Sequence, residues 1–427
     1  MHGKTIKFLD TAIHIANRLV NDAIWYENRC TWMGDDSELI DEEWKIVYQT
    51  VDAYLYSGNA GIARFLIFCW QETQDEALKR TAIAAITHSL YLIEQTIDEK
   101  LPLGLYDGLI GVVLVATEIE NSLQNPIFHK QLKVIIDEIK MRIISNDYPN
   151  ISDLLSGYAG YLVGLIKLSK MITYIDFNQE CYMLSQKLLK EAHHTSYGYY
   201  WDKIEVKNVG LSGLAHGASG IAYALYEYGQ LIKNKQHYLY TARQGLKYEK
   251  SWFSQKRSNW ADIRSEDNKS KTYSEEQFAY PVFWCHGAGG IGLVRLRNYK
   301  LTKDKNILAE ASASLYAATT EARTIVKNKK SSAYNLSVCH GMGSILDLFL
   351  YAYQVLGEDI FLKRARDIGN FNLSISKVGT EEEYWRCGIQ GGGETPGLMI
   401  GLSGIGYNFL CLYKPEVYSS PVGLEIA

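Results

Sequence analysis

His286-Gly287-Ala288-Gly289-Gly290 is one copy of a pattern that recurs along the whole chain, and reading it as a repeat decides the fold. The other copies are Ser57-Gly58-Asn59-Ala60-Gly61, Asp107-Gly108-Leu109-Ile110-Gly111, Ser156-Gly157-Tyr158-Ala159-Gly160, His216-Gly217-Ala218-Ser219-Gly220, His340-Gly341-Met342-Gly343-Ser344 and Ile400-Gly401-Leu402-Ser403-Gly404. The sixth in chain order departs from the others, with Ser344 in place of the second glycine. Apolar residues follow each pair at helical spacing, as in Ile62, Phe65, Leu66 and Cys69, or Ile221, Ala224, Leu225 and Tyr228. A helix is therefore expected to start after each second glycine, where a tight turn leaves amide groups at the helix N-terminus.

The first glycines are 50, 49, 60, 70, 54 and 60 residues apart, room for two helices and their loops. Partner helices are expected over Ala77 to Ile97, Gln131 to Ile144 and Asn306 to Val326, and only seven prolines interrupt the chain. The expectation is an all-α chain of seven helical hairpins. Periodicity alone does not choose between an open stack and a ring. Closure is favoured because the repeats begin near the N-terminus and end near the C-terminus, leaving little sequence for polar caps. No linker divides the chain, so residues 1–427 read as one domain, and the charged stretch Ser254 to Gln277 reads as a surface loop.

Composition removes several function classes. With 47% hydrophobic and 22% charged residues, the 427-residue chain reads as an ordinary globular one. A net charge of −4 gives no electrostatic support for a nucleic-acid partner. Lys4, Lys7, Asp10, His14 and Arg18 break up the N-terminal apolar residues, so no secretory signal is read there. No run approaches the roughly 18 apolar residues of a membrane span. A cytoplasmic location is expected, and the odd count of seven cysteines argues for reduced thiols.

Aligning the repeats puts Ser57, Asp107, Ser156, His216, His286, His340 and Ile400 in one column, immediately before the first glycine. Ten histidines scattered at random over the chain would seldom place even one there. The preceding column holds Cys285 and Cys339. Equivalent positions of neighbouring repeats share a rim, so two thiols and up to three imidazoles are expected to converge. This is a soft nitrogen and sulfur donor set, and zinc is the expected metal. Cys285, His286, Cys339 and His340 could form a closed Cys2His2 structural site. Adjacent side chains seldom both reach one ion, which favours three ligands and an open fourth position, the arrangement of a catalytic zinc. Two thiolates and an imidazole neutralise the ion, which makes it better suited to activating a thiol than a carbonyl. Addition of that thiol to an electron-poor double bond then requires a proton donor for the carbanion.

Trp284-Cys285-His286-Gly287-Ala288-Gly289-Gly290-Ile291-Gly292-Leu293 and Cys339-His340-Gly341 resemble signatures of the LanC-type lanthipeptide cyclases. Leu214 to Ala222, containing His216-Gly217, and Pro396 to Tyr407, containing Gly401-Leu402-Ser403-Gly404, agree with them over essentially the whole chain. The resemblance implies an α/α toroid of two concentric helical layers, with zinc held by Cys285, Cys339 and His340 and with His286 lining the site. It implies that a cysteine of a dehydrated precursor peptide attacks dehydroalanine or dehydrobutyrine, giving lanthionine or methyllanthionine. His216 matches the histidine that handles the proton, and Asp153 matches an aspartate near it, although a helix-capping role for Asp153 is the plainer reading of that residue alone. Recognition of a leader peptide, a separate dehydratase and a transporter are the implied partners. The motifs lean toward the cyclase halves of fused dehydratase-cyclase synthetases. Stand-alone cyclases of the nisin type more often have tyrosine where His286 stands and an arginine shortly before the first zinc cysteine, where this chain has Tyr280, Pro281 and Val282.

Other residues are read more plainly. Asp107 is expected to cap a helix, Cys387 to be incidental, and Cys30, Cys69, Cys181 and Cys411 to lie in the core. Gly391 to Glu394 lacks the lysine and hydroxyl of a phosphate cradle. Two readings compete with ring closure: addition of an external thiol such as glutathione to dehydrated residues, and a peptide-binding scaffold stapled by a closed zinc site. An α/α-barrel glycosidase would need paired carboxylates where thiols and imidazoles recur.

Overall fold

A computed structural model describes residues 2–40, 43–97, 99–202, 210–264, 275–328, 334–389, 393–418 and 420–421. Its helices are α1 (His2–Asp22), α2 (Asn59–Thr73), α3 (Glu76–Thr96), α4 (Leu109–Leu123), α5 (His129–Ser145), α6 (Tyr158–Met171), α7 (Asn178–Lys190), α8 (Ala218–Leu231), α9 (Gln236–Lys250), α10 (Ala288–Thr302), α11 (Lys305–Asn328), α12 (Met342–Leu356), α13 (Asp359–Ser376) and α14 (Leu402–Tyr413). The strands among the described residues are short antiparallel pairs: β1 (Ile24–Tyr26) with β2 (Arg29–Thr31), β3 (Met33–Ile40) with β4 (Glu43–Thr50), β5 (His193–Thr195) with β6 (Gly198–Tyr200), and β7 (Phe253–Ser254) with β8 (Asn259–Trp260).

The repeat governs where helices begin, one glycine earlier than expected. The first glycine of every copy is the N-cap. In six copies it is extended, with φ between −158° and −101°, whereas Gly287 has φ +75°. The second glycine falls inside the first helical turn because there is no room for a side chain: a Cβ on Gly220 would lie 2.1 Å from the Leu214 carbonyl oxygen. Asp107 is therefore not the cap of α4; Gly108 occupies that position and Asp107 lies one residue outside the helix.

The helix after each glycine pair is buried almost all round, as in Ala218 to Gly229 of α8 and Leu402 to Leu412 of α14. The next helix in the chain covers it with one buried face, as α3, α7, α9, α11 and α13 do for α2, α6, α8, α10 and α12.

Backbone contacts divide the chain into two compact units. The first comprises Met1–Pro102, Tyr106–Asp137 and Lys330–Gly423. In it α14 packs between α12 and α2, so the seventh repeat meets the first, and α1 from the start of the chain supplies the covering helix for α14. Arg18 of α1 ion-pairs with Glu394, His14 bonds Glu383 at 2.9 Å, and both acids hold backbone or side chain of the segment that contains Trp385. The second unit comprises, among the described residues, Leu103–Leu105 and those between 138 and 328, with α6 against α8 and α8 against α10.

The stretch expected to be a surface loop is partly folded. β7 and β8 form a hairpin whose Trp260 is fully buried, and Ile263 packs with Leu211 and Ala261. Residues 265–274, like Gly391 and Gly392 of the glycine run, lie outside the described residues. Cys30, Cys69, Cys181 and Cys411 are buried as expected, and all seven cysteines are free thiols.

Candidate functional site

The column two residues before the first glycine is realised as a ladder of backbone hydrogen bonds. In the second unit Leu155 N–H donates to Ala215 O at 3.1 Å, and Ala215 N–H to Cys285 O at 3.2 Å. In the first, Cys339 N–H donates to Met399 O at 2.9 Å, Met399 N–H to Tyr56 O at 2.8 Å, and Tyr56 N–H to Tyr106 O at 2.8 Å. Each rung joins equivalent residues of successive repeats, so side chains of one column are presented along one rim within each unit.

The second unit carries Asp153, His216, Cys285 and His286. Asp153 divides its carboxylate: Oδ1 accepts Ser156 N–H at 2.8 Å, the local turn role, and Oδ2 meets His216 Nδ1 at 2.6 Å. The carboxylate is almost fully buried, while the His216 side chain keeps 27% of its exposure, so the ring can be reached from solvent. An acceptor-only carboxylate fixes a proton on Nδ1 and leaves Nε2 as the ring nitrogen that does not face Asp153.

His286 stacks on His216 with centroids 5.9 Å apart. It is 2% exposed. Burial, reinforced by the positive charge of Arg264, pushes its imidazolium pKa down to about 3, against a smaller pull from Asp262. His286 is accordingly a neutral imidazole.

Two backbone devices hold this group. Gly213, at φ +106°, backs onto the Cys285-His286 peptide so closely that a Cβ would lie 2.8 Å from Cys285 O. Its N–H donates at 2.8 Å to Glu249, whose other oxygen accepts Ser219 Oγ at 2.6 Å and the fully buried Arg295 at 2.8 Å.

The first unit carries Cys339 and His340. Cys339 is 4% exposed, and its sulfur accepts the Tyr56 hydroxyl at 3.0 Å. His340 is half-buried, and its Nε2 lies 2.8 Å from the Gly388 carbonyl. A carbonyl only accepts, so Nε2 carries a proton. Gly388 permits this contact, because a Cβ there would come 2.9 Å from the imidazole nitrogen.

Among the described residues, no group of three or more His, Cys, Asp or Glu side chains is gathered into a cluster that could hold a metal ion. The individual donors nonetheless suit the zinc expected from the sequence. An imidazole whose Nε2–H is committed to a carbonyl, and a sulfur that accepts a hydrogen bond from a hydroxyl, are arrangements of the kind that orient metal ligands. Cys285 belongs to one unit and Cys339 and His340 to the other, and each is placed within its own.

Cys387 is not drawn into either group. It is buried, its thiol faces Thr395 O at 3.7 Å, and burial pushes its pKa up to about 12. Tyr56, Gly388, Gly213 and Glu249 were not singled out by sequence reading. Only Tyr56 had a signal, since it shares the column of Cys285 and Cys339.

The profile of the lanthionine synthetase C-like protein family matches residues 49–422. The chain is 26% identical over 379 residues to the lacticin 481/lactococcin biosynthesis protein LcnDR2 of Lactococcus lactis subsp. lactis, covering 87% of this chain and 37% of that protein. It thus spans little more than a third of the curated relative. Among solved structures, nisin cyclase superposes with a TM-score of 0.64 at 18% identity, covering 86% of this chain and 89% of that one. The likeness shows a shared all-α, α/α-toroid fold.

Proposed function

Because the chain belongs to the lanthionine synthetase C-like protein family, we propose that it is a zinc-dependent cyclase that joins peptide cysteines to dehydrated residues through thioethers. Family membership over residues 49–422 carries this reading, and the Asp153–His216 pair gives it a proton donor. Cys285, Cys339 and His340 are the ligands it assigns, as the family resemblance implies, and the hydrogen bonds of the latter two agree with that use. The chemistry a bound zinc would supply is acidification of a peptide thiol entering the site.

In the reaction the peptide thiol gives up its proton to solvent, its sulfur forms the C–S bond at the β-carbon of dehydroalanine or dehydrobutyrine as the carbon–carbon double bond is consumed, and one proton is added at the α-carbon, so that the addition is proton-neutral. His216 delivers that proton from Nε2. Asp153 keeps Nδ1–H in place and offsets the positive charge of the imidazolium before transfer. His286 packs beside the His216 ring and excludes water from that side.

This reading brings its own partners: a dehydrated precursor peptide recognised through its leader, a separate dehydratase that forms the double bonds, and a transporter for the product. Reduced thiols throughout suit a cytoplasmic setting. No helix among the described residues is long and apolar enough to cross a membrane.

The test uses zinc-loaded protein and a synthetic peptide with a dehydroalanine a few residues before a cysteine. Ring closure leaves the mass unchanged and removes the thiol from alkylation. With glutathione present, a gain of the glutathione mass would identify external addition instead. Binding with every thiol still open to alkylation would identify a scaffold and overturn the proposal.

A further inference from the structure

The Tyr56–Cys339 contact joins residues 283 positions apart in sequence, yet it is fixed from both ends. Tyr56 N–H and C=O are both engaged in the ladder, and Cys339 N–H is engaged with Met399, which in turn donates to Tyr56. The ladder thus fixes the two main chains at the spacing from which the phenol reaches the sulfur. The hydroxyl is the donor and the sulfur the acceptor, at 3.0 Å. A donor of this kind favours a charged sulfur and, once the sulfur is a ligand, withdraws electron density from it.

Resting on the metal reading above, we propose that Tyr56 is a positioning residue for Cys339: its hydroxyl orients the sulfur as a metal ligand and lowers that sulfur's own nucleophilicity. The site confronts an electron-poor double bond with more than one thiolate, and the useful attack is that of the peptide thiol. A ligand sulfur already sharing its charge with a phenol proton is the poorer competitor. His340 has the corresponding arrangement, with its Nε2–H committed to Gly388 O. The two adjacent residues are thus held by neutral partners, a phenol and a carbonyl, which orient without adding charge.

The experiment compares wild type, Tyr56→Phe, Tyr54→Phe as a nearby hydroxyl control, and Cys339→Ala. Zinc affinity is measured by competition with a chromophoric chelator, and the cobalt-substituted proteins are examined for the sulfur-to-metal charge-transfer band. Far-ultraviolet circular dichroism and thermal melting verify that each variant folds. Tyr56→Phe should bind zinc about 10- to 100-fold more weakly and shift the cobalt band, with Tyr54→Phe matching wild type. A wild type that binds metal, together with a folded Tyr56→Phe of equal affinity and unmoved band, overturns the role of Tyr56 alone. A wild type that binds no more metal than Cys339→Ala overturns the metal reading and this inference with it.

Discussion

The turns before α10 and α12 share the triplet Cys-His-Gly, and the backbone treats them differently. In Cys285-His286-Gly287 the glycine stands at φ +75°, Gly287 bridges to Val282, and His286 turns inward onto His216. In Cys339-His340-Gly341 the glycine is extended at φ −125°, and His340 instead reaches the Gly388 carbonyl. The supports differ as well. The first turn is backed by a chain of charge through Gly213, Glu249 and Arg295. The second is held by a phenol and a carbonyl, and α12 behind it carries Asp347, a buried acid that accepts the Ser420 hydroxyl at 2.6 Å. Two histidines of one column thus meet different surroundings: His286 stacks on His216, the partner of Asp153, and His340 bonds a carbonyl.

The most severe way to break this comparison is to separate the two kinds of work by mutation. His216→Ala should reduce cyclisation about 100- to 10,000-fold while zinc content stays at the wild-type level. Cys339→Ala should lose zinc and, with it, activity, while wild-type folding is retained. Zinc quantification beside turnover of the dehydroalanine peptide decides it. Loss of zinc in His216→Ala would mean that the histidines of this column do not divide the chemistry.

The next test addresses the charged support. Arg295 is fully buried and bonds Glu249, Glu310 and Ser219. Arg295→Met keeps most of the volume but strands Glu249, itself fully buried, without its cation. Removing one partner of such a pair costs about 3–5 kcal/mol, read as a lower denaturant midpoint at unchanged slope. An unchanged midpoint would show that Glu249 is satisfied without Arg295, and that Gly213 is not braced through it.

Sequence reading reached some levels of this structure and not others, for identifiable reasons. The glycine pairs were legible because a Cβ cannot fit against the preceding loop, and the columns were legible because repetition preserves register. What repetition cannot encode was missed. Gly287 bridges to Val282 and crowds the Pro281 carbonyl, contacts outside the motif, so the column alone did not separate His286 from His340, and only the family resemblance did. The partner of α14 lies at the opposite end of the chain, in α1, and no local pattern announces it. Tyr56 stood in the right column, but its bond to Cys339 crosses two repeats. Asp107 failed as a cap because glycine holds that position in every copy.

Asp347 gives the smallest and finest test, since it contrasts the uncharged support of α12 with the ion pairs of α10. Burial raises its carboxyl pKa to about 7, with the Ser420 bond pulling the other way, from an ordinary value of 3.8. Burial also raises Tyr106, Tyr407 and Cys411, which interact with it electrostatically, so none of these titrates in the acid range. A carboxyl that holds its proton more tightly when folded contributes stability that is complete below about pH 4. That contribution declines as pH rises from 4 to 7 and is flat above 7. Asp347→Asn keeps the shape and removes the titration. Its stability relative to wild type should therefore rise across that window, by up to a few kcal/mol, and level off beyond it. Melting curves at closely spaced pH values would follow the difference. Parallel curves for the two proteins would mean that Asp347 is ionised in the fold, and that α12, like α10, carries a compensated charge.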